Sequence, residues 1–118
     1  MVLTLESAIL ELRRAVPSFP IDSDWEVEGL LYPIFNDFAR FICSAAEVLQ
    51  YVTSDAEANR LSQVPICMEF LERALKQGDP TVRDLVHECV ETLSECTWSQ
   101  QIKKWVDLQT SAIWEGRS

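Results

Sequence analysis

Apolar residues recur every three or four positions along most of the chain, a spacing typical of amphipathic α-helices. The longest such stripe runs from Leu30 to Val52, and it predicts a central helix around which the rest of the chain packs. An apolar face this wide has to be covered by several other helices. The stripe consists of Leu31, Phe35, Phe38, Ile42, Ala45, Leu49 and Val52, flanked by Ile34, Phe41 and Val48.

Shorter stripes predict a helix before the central one and another after it. Thr4 can cap the first helix, and Pro17 and Pro20 end it. The helix that follows the central one contains Pro65, so it is either kinked or divided, or it begins at Ser62 or Val64 with the proline in its first turn. The inward positions are Leu5, Ala8, Ile9, Leu12 and Val16 in the first helix and Leu61, Val64, Met68, Leu71 and Leu75 in the other.

The clearest helix boundary lies at Gly78 and Asp79. Gly78 is predicted to take the left-handed position that ends a helix, Asp79 to cap the next helix, and Pro80 to occupy its first turn. Toward the C-terminus, Ser99 is predicted to cap a further helix. The segment 107–114 either continues that helix or forms another one. We therefore predict one all-α domain over residues 1–118, an antiparallel bundle of about five helices.

Charge changes this picture by suggesting the kind of partner. The 118 residues contain 19 acidic and 10 basic side chains, a formal net charge of −9. Such a field repels nucleic acid and anionic membranes and favours basic protein partners, although the same charge also serves solubility alone. The N-terminal segment lacks the apolar run of a signal peptide, and no stretch is long enough to cross a bilayer. Four cysteines that are expected to be reduced thiols predict a cytoplasmic protein.

Two acidic surfaces are candidate partner-binding sites. The first is the run that leads into the central helix, where a tryptophan among acids could anchor a basic partner; the alternative is a solvated loop whose tryptophan tucks into the core. The second is the outer face of the fourth helix. The candidate residues are Asp22, Asp24, Trp25, Glu26, Glu28 and Tyr32 in the first and Glu88, Glu91 and Glu95 in the second.

No pattern of catalytic or metal-binding residues stands out. A metalloprotease motif starting at His87 would need a second histidine at position 91, where the chain has Glu91, so a local His–Glu ion pair is the simpler expectation. The four cysteines form no CxxC pair and are expected to be reduced thiols. The three C-terminal tryptophans are expected to close the core. We predict a non-enzyme with no cofactor, no metal and no catalytic residue. The cysteines are Cys43, Cys67, Cys89 and Cys96, and the tryptophans are Trp98, Trp105 and Trp114.

Two segments carry a family resemblance. The segment GDPTVRDLVHECVETL resembles the second helix of a HEAT-type repeat, through Asp79, Pro80, Val82 and Arg83. This resemblance implies an antiparallel, HEAT-like helix pair within the bundle. Together with NDFARFI and FLERALKQGDPTVRDLV, it resembles an uncharacterised family of small, acidic, helical bacterial proteins. The likeness covers about Leu31 to Leu93. The matched residues are Asp37, Phe38, Ala39, Arg40 and Phe41, then Phe70, Leu71, Glu72, Gly78, Asp79, Val82, Arg83, Leu85 and Val86.

The resemblance implies a function in toxin immunity, because members of such families are often encoded beside polymorphic toxins. The first hypothesis is therefore an immunity protein that binds and neutralises a cognate toxin with a basic surface, without nucleic acid or membrane as a partner. The second is a non-enzymatic helical adaptor or subunit of a larger assembly, and self-association stays open. The third, a small enzyme using His87, predicts that His87→Ala abolishes activity and leaves stability nearly unchanged.

Overall fold

The computed structural model describes residues 2–20 and 31–116, and the side chains within them except those of residues 31–33. These residues form seven α-helices and one 3-10 helix, which confirms the all-α fold and raises the predicted helix number from about five. The α-helices are α1 (Leu5–Ala15), α2 (Leu31–Ala45), α3 (Asp55–Leu61), α4 (Val64–Gln77), α5 (Pro80–Ser94), α6 (Ser99–Lys103) and α7 (Leu108–Trp114), and the 3-10 helix is Glu47–Tyr51.

One hydrophobic core joins α1, α2, α4 and α5. Helix α2 packs along both α4 and α5, and Phe38 at its centre is fully buried. The Phe38 ring lies 5.0 Å from that of Phe19 and meets Phe70 edge-on at 6.0 Å. Such tilted and edge-on pairs are favourable beyond the area they bury. The predicted central role of the helix is therefore confirmed.

The central helix is shorter than predicted, because it ends at Ala45 and not at Val52. The Ala45 carbonyl accepts a hydrogen bond from Ser62 Oγ at 2.9 Å. The Leu49 amide, which would reach that carbonyl in a continuing α-helix, instead donates to Ala46 O at 3.0 Å. The chain thereby tightens into the 3-10 helix. In this stripe Phe35, Phe38 and Ile42 are buried, whereas Ala45, Leu49 and Val52 are only half-buried.

The element that contains Pro65 is divided, one of the predicted alternatives. Ser54 caps α3, and α4 starts at Val64 with the proline in its first turn, where a missing amide costs nothing. Leu61 was wrongly predicted to point inward. It lies at the end of the short α3 and is 50% exposed, since the break after it takes it out of register with the α4 stripe.

The boundary between α4 and α5 is confirmed in place but not in the conformation of its glycine. Asp79 caps α5 by accepting a hydrogen bond from the Val82 amide at 2.9 Å. Gly78 has φ −74° and ψ 151°, so the predicted left-handed conformation is wrong. A glycine is required at this position because the backbone packs closely there, and a Cβ atom would lie only 2.5 Å from Ala74 O. On the other side, Leu3 bridges the turn by pairing with the backbone of Gln77 and Asp79.

The C-terminal segment forms two short helices. Ser99 is the first residue of α6 and not its cap, so that prediction is wrong; Trp98 precedes the helix and forms no side-chain cap. Asp107 caps the separate helix α7, and its side chain accepts a hydrogen bond from the Leu108 amide at 2.8 Å. Trp98, Trp105 and Trp114 are half-buried and pack against the core, as predicted for residues that close it.

Candidate partner-binding surface

An acidic row runs along the outer face of α5 and the residue that follows it. The row consists of Asp84, Glu88, Glu91 and Glu95, all of them exposed. Their spacing of four, three and four residues places them on one side of a helix. The opposite side is apolar and buried in the core, which fixes the direction in which the row points. Its buried residues are Val82, Val86, Cys89, Val90 and Leu93.

The acidic row is largely without compensating charge. Among the described residues, only Glu91 of the four forms an ion pair, with His87 Nδ1 at 2.7 Å from its Oε1. This is the local pair that the sequence predicts, and it is partly exposed. Like charges one helical turn apart cost a helix a few tenths of a kcal/mol, roughly 0.2–0.5 per pair. The row therefore concentrates negative potential on one face at a small cost in helix stability.

The structure places the two predicted acidic surfaces differently. Glu88, Glu91 and Glu95 lie together in the acidic row, and the structure adds Asp84, which was not among the predicted contacts. The 4-3-4 spacing is the signal that could have found it. The other predicted contacts cannot be placed, because residues 21–30 and the side chain of Tyr32 lie outside the described part of the structure. They are Asp22, Asp24, Trp25, Glu26, Glu28 and Tyr32.

A cleft of about 510 Å³ lies beside the acidic row, between α5 and α7. Its apolar wall includes Leu75 and Ile113, and its polar side groups include Arg83, Asp84 and His87. Asp84 thus belongs to both the row and the rim of the cleft. The volume is in the range of small-ligand pockets. Within the part of the chain that the structure describes, no hydroxyl or thiol side chain lines the cleft. The cleft gives the acidic face a concave edge.

Helix α7 is held against the body of the protein by a buried carboxylate. Glu72 on α4 is 5% exposed. Its Oε1 accepts hydrogen bonds from the Thr110 amide at 2.9 Å and from Thr110 Oγ1 at 3.2 Å, and its Oε2 accepts one from the Gln109 amide at 2.9 Å. Lys76 Nζ lies 3.7 Å away on the solvent side. These bonds satisfy first-turn amides of α7 and so fix one wall of the cleft.

A second concave surface, of about 590 Å³, lies where α2 gives way to the 3-10 helix and faces the α3–α4 break. Tyr51 and Leu61 stand at its edge, 75% and 50% exposed. Among the described residues that line it, Glu47 is the one with a charged side chain. Phe41 contributes to its floor and contacts Phe19 at a ring distance of 5.2 Å. This groove is more apolar in character than the cleft beside α5.

Residues 2–20 and 31–116 contain no candidate metal site and no candidate membrane-spanning helix. No group of three or more His, Cys, Asp or Glu side chains in these ranges is arranged to hold a metal ion. The helices there are each too short or too polar to span a bilayer. All four cysteines are free thiols, in agreement with the sequence prediction.

These features define an all-α domain with an exposed acidic row, flanked by a cleft and held together by one core. The chain belongs to the family described as "Domain of unknown function (DUF7674)", which matches residues 3–118. This agrees with the resemblance to an uncharacterised family. No curated protein and no solved structure matches the chain.

Proposed function

We propose that the chain is an immunity protein that binds a cognate toxin through its acidic row and so neutralises it. The observation that carries the proposal is the row itself: four exposed carboxylates on one helix face, with one ion pair among them in the described residues. The family resemblance seen in the sequence supports the same function, because it implies proteins encoded beside toxins. The proposed mode of action is occlusion, in which the domain covers a basic active site or substrate entry.

Electrostatics explains why such a row suits this task. Charged faces accelerate encounter with an oppositely charged partner, and the effect weakens as salt screens it. A nuclease or a nucleotide-binding toxin has a basic cleft, because its substrate is an anion. An acidic helix face presented by a rigid core can occupy such a cleft in place of the substrate. The neighbouring cleft between α5 and α7 offers a concave surface for an apolar anchor of the partner.

The direct test is protection from the toxin encoded beside this chain. The toxin and the wild-type chain are co-expressed in the same cells, and the survival of those cells is scored. We expect survival with the wild-type chain and with a control carrying Glu6→Gln, Glu47→Gln and Glu69→Gln. We expect little survival with Glu88→Gln, Glu91→Gln and Glu95→Gln, which changes the net charge by the same amount. All six residues are exposed, so both triple variants should fold, which circular dichroism would verify.

Two outcomes would count against the proposal. Failure of the wild-type chain to protect against the adjacent toxin, although both proteins are soluble and abundant, would remove the immunity function. Equal protection by the two triple variants would leave an immunity function but place the contact elsewhere, for example on the acidic run of residues 22–28.

The apolar groove beside Tyr51 and Leu61 favours a second candidate, a helical adaptor or subunit. Large exposed apolar side chains at a concave edge are common at protein interfaces. This function predicts association through the groove and not through the acidic row. Light scattering after size exclusion would report self-association. Tyr51→Ser with Leu61→Ser should abolish it, whereas the triple Gln variant of the acidic row should not.

A further inference from the structure

The cleft between α5 and α7 is a concave extension of the hydrophobic core. Its apolar lining comes from three helices, with Leu75 on α4, Pro80 on α5, and Ala112 and Ile113 on α7. Leu75 belongs to the core and is only 8% exposed, and Ile113 packs against the core. A side chain that entered the cleft would therefore contact apolar surface from three helices, which is the environment of an anchor residue at a protein interface.

Hydrogen bonds on two sides hold the cleft in shape. Gln109 lines the cleft, and the backbone amide of this residue donates a hydrogen bond to Glu72 Oε2 at 2.9 Å. The turn that joins α4 to α5 is fixed by the backbone pairing of Leu3 with Gln77 and Asp79. A partner group can thus bind without first ordering the walls of the cleft, and such preorganisation favours binding.

Charges around the cleft restrict the kind of group that can enter it. Arg83 lines the cleft, is exposed, and forms no ion pair within residues 2–20 and 31–116. A basic side chain in the cleft would face this guanidinium, and an acidic one would face Asp84 and the acidic row beyond it. His87 also lines the cleft, but its Nδ1 is directed to Glu91 Oε1 at 2.7 Å. The cleft therefore favours an uncharged group.

Among uncharged groups, an aromatic ring suits this combination of residues best. A ring offers a large apolar area to the walls, roughly 150–250 Å² for a buried aromatic side chain. Its face also attracts a guanidinium, so that Arg83 gains a partner that an aliphatic side chain would not provide. The same contact already occurs within the protein, where the guanidinium of Arg73 lies 5.8 Å from the centre of the Phe70 ring.

We propose that the cleft between α5 and α7 binds one aromatic side chain of the toxin, between its apolar walls and the Arg83 guanidinium. This inference rests on the proposed function, in which the acidic row supplies the contact with a basic partner. Asp84 belongs to both the row and the rim of the cleft, so the aromatic side chain should lie beside one end of the partner's basic surface. From Asp84 to Glu95 the row extends about 16 Å, at about 1.5 Å per helical residue.

The acidic row and the cleft should act on different rate constants. Exposed charges mainly accelerate the encounter of two proteins, whereas a buried anchor mainly slows their separation. The cleft can therefore be tested separately from the acidic row, and also without the toxin.

The first part of the experiment uses N-acetyltryptophanamide as a probe for the cleft. The probe is titrated into the full-length chain, and the methyl NMR signals of Ala112 and Ile113 are followed. We expect both signals to shift, and we expect N-acetylleucinamide to bind more weakly by about threefold or more. Arg83→Gln should weaken binding of the tryptophan probe by about threefold, and Ala112→Leu, which fills the cleft, should abolish it.

The second part measures dissociation of the complex with the toxin encoded beside the chain. Ala112→Leu should raise the dissociation rate constant by about tenfold or more and leave the association rate constant within about twofold of the wild-type value. Arg83→Gln, an exposed substitution that should not disturb the fold, should raise the dissociation rate constant by about threefold. The matched control is Ser111→Leu, which adds the same side chain to a half-buried position of α7 outside the described lining of the cleft. It should dissociate like the wild-type chain.

The outcomes separate this inference from the immunity function. Unshifted Ala112 and Ile113 signals up to the solubility limit of the tryptophan probe would overturn the inference, and so would equally tight binding of N-acetylleucinamide or N-acetyllysinamide. A toxin complex in which Ala112→Leu and Arg83→Gln dissociate like the wild-type chain would overturn it while the immunity function stands. Failure of the wild-type chain to bind the toxin, with the probe still bound at Ala112 and Ile113, would remove the immunity function and leave an aromatic-binding cleft.

Discussion

At the scale of single residues, Glu72 is the side chain with the most consequential contacts. It is a carboxylate at the edge of the apolar face of α4. In the sequence, Glu72 is notable only as one of the residues that match the family. The structure gives it hydrogen bonds to Gln109 and Thr110, which are almost forty positions later in the chain. A partner so distant leaves no local pattern, so the sequence could place Glu72 on a helix but could not predict its role.

Glu72→Ala should destabilise the protein by about 2–3 kcal/mol. The substitution leaves first-turn amides of α7 without their charged acceptor, and hydrogen bonds to charged groups are among the stronger ones. Glu72→Gln should have a smaller effect, because one acceptor oxygen remains. The measurement is urea unfolding, combined with amide hydrogen exchange at Gln109 and Thr110, which should lose protection.

Glu69→Ala is the matched control for Glu72, since it lies on the same helix and is exposed. An exposed substitution of this kind typically changes stability by less than about 0.5 kcal/mol. Equal unfolding free energies for Glu72→Ala and Glu69→Ala would contradict the proposed anchoring of α7.

At the scale of elements, local signals predicted most helix starts, and long-range contacts decided several of the ends. Thr4 and Asp79 cap α1 and α5 as the sequence indicated, because a cap involves residues only three positions apart. The end of α2 depends on Ser62, and the form of the α4–α5 turn depends on Leu3. Neither partner is adjacent in sequence, which explains why the predictions for Val52 and for the Gly78 conformation were wrong.

Ser62→Ala should weaken the junction of α2 with the α3–α4 break. The hydroxyl donates to Ala45 O at 2.9 Å and accepts from the Val64 amide at 3.1 Å, and the residue is buried. Removing it leaves two backbone groups short of a partner, at a cost of about 1–3 kcal/mol. The exposed Ser44→Ala is the control and should be nearly neutral. Unfolding by urea compares the two, and a Ser62→Ala variant as stable as Ser44→Ala would exclude this role.

At the scale of the whole molecule, the spacing of apolar residues predicted the class of fold, and the composition predicted the sign of the net charge. Helical periodicity indicated an all-α protein, and the net charge of −9 indicated a preference for basic partners. The sequence also placed Glu88, Glu91 and Glu95 on one outer face. It could not show the cleft beside them, since the cleft forms only where α7 packs against α4 and α5, through contacts between residues far apart in the chain.

The buried thiols predict how stability depends on pH. The pKa of Cys67 is raised from 9.0 to about 12 by burial, and burial raises that of Cys89 as well. Above pH 9 the unfolded chain therefore loses these protons before the folded one does, which favours unfolding. The contribution is fully present below about pH 9 and is lost as pH rises toward 12, by up to about 1.4 kcal/mol per pH unit for each thiol.

Urea unfolding between pH 7 and pH 10.5, in the presence of reductant, measures this dependence. The free energy of unfolding should fall more steeply with pH for the wild-type chain than for Cys67→Ala. All other ionisable groups are common to the two proteins, so their contributions cancel in the comparison. Parallel pH profiles would show that the Cys67 thiol contributes nothing to the alkaline loss of stability.

The central claim is that the acidic row on α5 is the surface that binds the toxin. The most direct measurement is the association rate constant with the toxin that the chain protects against, at low and at high salt, for the two triple Gln variants. We predict a rate reduced by about tenfold at low salt for Glu88→Gln, Glu91→Gln and Glu95→Gln, with the difference shrinking at high salt. The Glu6, Glu47 and Glu69 control should associate nearly as fast as the wild-type chain. Equal rates for the two variants at low salt would contradict the claim.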